Sequence, residues 1–215
     1  MKQRLFSTSA RTLLLIGCMA GLSGCYALNA KHYREVLSIR ANMDRLKAAD
    51  ARLAARIAAL KPFEKALKTE FAAEIDARQA HIRNPEAGTV GMDMQNPLLF
   101  ASGSAQLSIK GRHILKRLAK TLKSTPDTAA IRIIGHTDPV PLNRSLKAGF
   151  IDNWGLSAAR AAAVARRLIW SNGIDAKRIR IEGSAQYDPV VANTSPANMA
   201  RNRRVELFVA MPNPK

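Results

Sequence analysis

Asp138, Arg160 and Arg203 are the residues of this chain whose types and surroundings could recognise a charged ligand. Asp138 closes the run Gly135-His136-Thr137-Asp138. Arg160 lies in Asn153-Trp154-Gly155-Leu156-Ser157-Ala158-Ala159-Arg160-Ala161, and Arg203 in Asn202-Arg203-Arg204-Val205. A carboxylate accepts hydrogen bonds and neutralises a cation. A guanidinium presents a planar fork that matches a carboxylate, which lysine cannot copy. Each residue also has a plain reading. Asp138 precedes Pro139, and Asp-Pro commonly starts a turn. Arg160 reads as a solvated helix residue, Arg203 and Arg204 as surface charge, and Asn153 as a cap. His136 reads as structural, and Trp154 as a packing residue rather than a platform for sugar. There is no Gly-x-Ser-x-Gly elbow, no His-Glu-x-x-His pair and no evident pair of catalytic acids. The expectation is a binding module and not an enzyme, with no cofactor and no metal.

The elements that must position these residues follow from periodicity. Val90, Met92 and Met94 alternate with polar or small residues, which predicts a short strand. Ser108 to Leu122 predicts a helix with Ile114, Leu115, Leu118 and Leu122 on one face. Ala130 to Gly135 predicts a buried strand, and a long polar loop runs on to Asn153. Ser157 to Asn172 predicts a second helix with Arg160 in its first turn, where backbone N–H groups favour an anion. Gly173 supplies a left-handed stop. Strands follow at Arg178 to Gly183 and Arg204 to Ala210. This order suits one α/β domain, an α+β sandwich. A linker at residues 84–92, with Pro85 and Gly88, precedes the domain at 93–211.

Residues 30–83 contain one proline and no glycine and are rich in helix formers. Leu46, Leu53, Leu60 and Leu67 recur every seven residues, with Met43, Asp50, Ile57 and Glu64 three before each. Asp50 and Glu64 are poor core residues, and Pro62 should split the helix into about 30–60 and 62–82. The stripe then folds onto itself as a hairpin, or makes a weak coiled-coil homodimer through residues 30–83.

The motifs around Asp138, Arg160 and Arg203, with Leu99-Phe100-Ala101-Ser102-Gly103-Ser104-Ala105, resemble the OmpA C-terminal-like domain. That family includes the peptidoglycan-associated lipoprotein and the C-terminal domain of the motility protein MotB. The resemblance implies a βαβαββ domain that binds peptidoglycan stem peptides through meso-diaminopimelate. The free end of that residue carries an ammonium and a carboxylate on one carbon. By resemblance, Asp138 receives the ammonium and Arg160 the carboxylate. Asn153 lines the same pocket, Thr137 orients the aspartate, and Arg203 approaches the ligand. On a strand, Arg203 and Arg204 should point to opposite faces. The segment from Pro139 to Asp152 is longer than in most of the family and is closer to the MotB branch, which leaves the strength of binding open.

The chain begins with Lys2, Arg4 and Arg11 and then an apolar run from Leu13 to about Leu22, the order of a secretory signal. The run is too short to span a membrane. Leu22-Ser23-Gly24-Cys25 resembles the lipobox of bacterial lipoproteins. This implies a signal over residues 1–24, acylation at Cys25, and a lipidated helical spacer over 25–83. Tyr26 after the cysteine implies sorting to the outer membrane, with the protein facing the periplasm. The net charge is +18 at neutral pH. In an exported protein such charge points to lipopolysaccharide, anionic lipid or wall carboxylates rather than to nucleic acid. The leading expectation is a lipid-anchored tether between membrane and peptidoglycan. The alternative is a regulatory, secretion- or motility-associated lipoprotein whose helix or long loop binds a periplasmic protein.

Overall fold

The computed structural model describes residues 8–101, 103–142 and 149–212, with side chains described from Asn29 onward. The chain divides into two compact units, Met1–Arg52 and Leu53–Lys215. The elements are α1 (Thr8–Glu70), α2 (Ala72–Asp76), β1 (Ala80–Arg83), β2 (Thr89–Gln95), α3 (Asn96–Leu99), α4 (Ile109–Leu122), β3 (Ala130–Gly135), α5 (Asn153–Arg166), β4 (Ile179–Gly183), α6 (Pro196–Asn202) and β5 (Arg204–Ala210).

In the first unit, the described side chains belong to α1. Tyr33, Val36, Ile39, Met43 and Leu46 are all exposed. The second unit is a five-stranded sheet in the order β1-β2-β5-β3-β4. Its pairs are antiparallel except β3 and β4, which run parallel across the connection through α5. Alternation decides the faces. Met92, Met94, Ile131, Ile133, Val205, Leu207 and Val209 turn toward the helices and are buried. From the other side come Leu115, Leu118 and Leu122 of α4 and Ala161 and Val164 of α5. Ser108 caps α4, its Oγ accepting the Gly111 N–H at 2.9 Å. Beyond α5 the chain widens into a π turn over Arg167–Ser171, and Gly173 ends it at a φ of 70°.

The segment before the domain differs from expectation. Pro62 lies inside α1 and does not divide it. Pro62 itself is exposed, while Leu60, Phe63, Leu67 and Phe71 are at most 1% exposed in the core. Burying four such side chains stabilises by about 1.5–3 kcal/mol each. That outweighs the roughly 3 kcal/mol cost of a helical proline. The hairpin reading of the stripe is therefore corrected, because its C-terminal part packs on the sheet domain instead. Helix also stops earlier than expected. Arg78 takes a φ of 57°, and Ala80–Arg83 become an edge strand. Ala80 and Ile82 face the core opposite Met94 and Met92. Residues 84–88, expected within a linker, form the turn of this hairpin, and Thr89 already belongs to β2. Strand pairing here overrides a helix-favouring composition.

Candidate functional site

The site forms where β3, α5 and β5 meet. Gly135 and Gly183 sit opposite each other at the ends of β3 and β4. A Cβ on Gly135 would lie 2.0 Å from the Ser157 carbonyl oxygen, and one on Gly183 would lie 2.7 Å from the Ala158 nitrogen. Only glycine lets the start of α5 close this tightly on the strand ends. The chain leaves β3 as His136-Thr137-Asp138, with the His136 N–H donating to the Arg204 carbonyl at 2.9 Å and the Thr137 N–H to that of Ala185 at 2.7 Å. Ligands in open α/β sheets bind beyond the carboxyl ends of strands in this way.

Thr137, Asp138, Asn153, Arg160 and Arg203 all line one cavity of about 610 Å³, together with Asn96. Asp138 is 6% exposed. Its Oδ1 accepts the Val140 N–H at 3.2 Å, and its Oδ2 is ion-paired with Arg203 Nη1. Asn153 Nδ2 donates to the Asp138 and Val140 carbonyls at 3.2 and 3.3 Å, which pins the loop bearing the aspartate. Asn153 is not the cap of α5. That role falls to Asp152, whose Oδ1 accepts the Gly155 N–H at 2.9 Å.

Arg160 is 6% exposed and makes no ion pair among the described residues. Its Nε and Nη2 both donate to the Ser104 carbonyl at 3.2 Å. Its guanidinium carbon stands 5.5 Å from the centre of the Phe100 ring. Burial, with the Arg203 charge alongside, lowers its pKa to about 10 against the opposing pull of Asp138. Because α5 begins at Asn153, Arg160 lies two turns into the helix and not in its first turn. The helix dipole fades within one turn, so the side chain alone must meet an anion there.

Thr137 differs from its expected role. Its Oγ1 is buried and forms no hydrogen bond among the described residues, Asp138 included. Asn96 was not legible as a site residue. It is 6% exposed, and both polar atoms of its amide are buried at the cavity without a partner among the described residues. Buried polar atoms require partners, so Thr137 and Asn96 offer one hydroxyl and one amide to whatever fills the space. The only sequence signal was Asn-Pro at the start of a short apolar run, which reads as a turn.

Arg203 and Arg204 turn to opposite sides. Arg203 reaches the cavity, while Arg204 is 3% exposed and donates to Glu206 Oε1 from Nε and Nη2 at 2.8 and 2.5 Å. Arg83 reaches the same oxygen at 2.6 Å. Burial pushes the Glu206 carboxyl up, but His136 and Arg204 outweigh it and hold the group at about 2. His136 is fully buried, with its Nε2 3.4 Å from Glu206 Oε2. His136, Asp188 and Glu206 bring metal-ligating atoms within 4.8 Å of one another. Two guanidiniums already share Glu206, so this cluster is better suited to bracing β5 than to holding a cation. Trp154, read from sequence as packing, is half exposed. Cys25 and the residues of the expected signal lie outside the described side chains, as do residues 143–148 of the long loop. Among the described residues, no helix is long and apolar enough to cross a membrane.

Two guanidiniums and one carboxylate thus converge in a half-open cavity with two neutral groups that have no partner among the described residues. The arrangement offers charge of both signs beside neutral hydrogen-bonding groups, on a mixed α/β fold preceded in the chain by a helix. The model of the OmpA family matches residues 99–203, and this segment is a domain of that family. The chain is similar to the probable lipoprotein YiaD of Escherichia coli K12, with 34% identity over 63% of each protein. It is similar to the peptidoglycan-binding protein ArfA of Mycobacterium tuberculosis H37Rv, with 35% identity over 53% of this chain and 32% of that protein. The solved structure of the cell wall anchor of the T6SS from Pseudomonas aeruginosa matches with a TM-score of 0.60 and 32% identity, over 68% of this chain and 97% of that one. The chain spans less than two thirds of the length of these two curated relatives.

Proposed function

We propose that this protein binds peptidoglycan non-covalently through the diaminopimelate of a stem peptide, and that it ties a membrane to the cell wall without acting as an enzyme. One observation carries the reading: among the described residues the buried Arg160 guanidinium has no carboxylate partner, and it stands in the cavity that Asp138 and Arg203 also line. A ligand carboxylate supplies the missing charge at Arg160. The ligand ammonium shares Asp138 with Arg203, and Thr137 and Asn96 meet the polar atoms between. The names of two relatives support the ligand class, one a peptidoglycan-binding protein and one a cell wall anchor. In this reading Cys25 is the acylation site, the helical residues after it connect it to the domain, and Tyr26 beside it sorts the protein to the outer membrane, facing the periplasm. Sedimentation of the intact protein with purified wall sacculi tests this. The parent should pellet with them and Asp138→Ala and Arg160→Ala should not; equal pelleting of all three contradicts the reading.

A second reading concerns partners. Val36, Ile39, Met43 and Leu46 of α1 follow the heptad spacing and are 51–65% exposed. A solvent-facing stripe at that spacing suits a second copy of the helix or an apolar helix of a periplasmic protein. Sedimentation equilibrium of the parent against Met43→Lys with Leu46→Lys tests it: a dimer lost in the double variant supports self-association, and a monomeric parent turns the stripe over to another protein.

A further inference from the structure

Trp154 and Tyr187 stack with ring centres 5.4 Å apart and planes inclined by 26°. They nevertheless leave 50% and 67% of their surfaces to solvent. Neither joins the core, so packing does not account for a paired aromatic surface at this place. Trp154 rises from the first turn of α5 and follows Asn153 of the cavity in the chain. Tyr187 stands on the loop after β4, and that loop is fastened to the site. The Thr137 N–H donates to the Ala185 carbonyl at 2.7 Å, and the Ala185 N–H donates to Ser157 Oγ at 3.1 Å. Ser157 Oγ donates in turn to the Trp154 carbonyl at 2.9 Å. Ala185 holds a φ of 46°, a conformation that residues with side chains rarely adopt. Trp154 thus stands one chain position from Asn153 of the cavity, and the loop that carries Tyr187 is tied to the same strand ends.

Aromatic faces carry partial negative charge and attract either cations or the C–H-rich faces of neutral rings. The chain carries a net charge of +18, which opposes a cationic partner. A neutral N-acetylated sugar meets no such repulsion. Its pyranose face presents C–H groups, and stem peptides hang from a strand of such sugars. We propose that Trp154 and Tyr187 form a carbohydrate subsite that holds a pyranose ring of the glycan strand while the cavity holds the stem peptide. This rests on the stem-peptide reading above and extends it from the peptide to the sugar.

The test titrates the intact protein with three ligands. One is the diaminopimelate tripeptide without sugar, one is the same tripeptide on its disaccharide, and one is an oligomer of N-acetylglucosamine. The parent should bind the sugar-bearing peptide about tenfold more tightly than the bare one. Trp154→Ala and Tyr187→Ala should each keep the affinity for bare peptide and lose that increment, with quenching of Trp154 fluorescence by the oligomer in the parent. Equal affinity of the parent for the two peptides overturns the subsite and leaves the charged clamp standing. A variant that weakens both peptides alike also overturns it, since the ring then serves packing. Binding of the oligomer that depends on Trp154, without any binding of bare peptide, sustains the subsite and removes the clamp. Failure of all three ligands overturns both. Tyr187 lies on an exposed loop, so its variant remains informative if Trp154→Ala misfolds.

Discussion

Arg160 and Arg203 share one cavity with a single carboxylate, and Arg203 holds it. Arg160 is left with one backbone carbonyl and a nearby ring for its buried charge. The buried charge of Arg160 is therefore only partly compensated, and in the proposed clamp a ligand carboxylate completes it.

That partial compensation has a measurable consequence for stability. Folding lowers the Arg160 pKa to about 10 from an ordinary value above 12. The unfolded chain binds the proton more tightly, so folding works against this charge at neutral pH, and the penalty fades only as the pH rises past 10. Arg160→Met keeps the volume and removes the charge. We expect its unfolding free energy to match or exceed that of the parent by about 1 kcal/mol, while binding is lost. Thermal unfolding with and without diaminopimelate peptide checks both parts. Ligand should raise the parent's midpoint only, and a clearly less stable Arg160→Met contradicts the account.

Glu206 gives the opposite sign. Its carboxyl, raised by burial but pulled lower by His136 and Arg204, sits at about 2, below the ordinary glutamate value of about 4.3. Its contribution to stability is present above pH ~4.3 and is lost as the pH falls toward 2, on the order of 3 kcal/mol. Asp93 shifts upward through burial and the charge of Glu206, so its protonation offsets part of that loss. Urea midpoints at pH 7 and pH 3 should fall steeply for the parent. Glu206→Gln should be weaker at pH 7 and flatter with pH. Parallel profiles contradict the assignment.

The folding unit should begin well before the first motif. Leu60, Phe63, Leu67 and Phe71 belong to the core, and Ala80–Arg83 form its edge strand. Removing residues 1–83 exposes the core those four side chains cover, a loss of about 6–12 kcal/mol, similar to the whole stability of a domain. A fragment of residues 53–215 should show a cooperative transition, and one of residues 84–215 should lack it by circular dichroism and urea titration. Equal stability of the two contradicts the packing described.

Much of this architecture was legible in the sequence, for reasons that differ by element. The strand at 130–135 and the last strand at 204–210 were bounded by glycine and by apolar alternation, and α4 by a clear apolar face. The strand Ala80–Arg83 was hidden because four residues in a helix-forming stretch carry no period of their own, and only pairing with β2 fixes them. The true start of α5 was masked by Gly155 in its first turn, with Asp152 unread as the cap, and this displaced Arg160 along the helix. The charged trio was found through its motif context, since singly Asp138 reads as a turn starter and Arg160 and Arg203 as surface charge in a basic chain. Asn96 and the exposure of Trp154 could not, because burial of a neutral amide and exposure of a ring are decided by neighbours distant in sequence.

Replacing diaminopimelate by lysine keeps the peptide and the side-chain ammonium but removes the carboxylate assigned to Arg160. Calorimetric titration of the intact protein with the two peptides therefore asks directly whether Arg160 reads that group. A charge pair lost at a buried site costs about 2–5 kcal/mol. The diaminopimelate peptide should bind at least about 30-fold more tightly than the lysine peptide, and Arg160→Met should erase the difference. Equal binding of the two peptides by the parent would show that the cavity does not recognise the carboxylate, and the clamp would have to be abandoned.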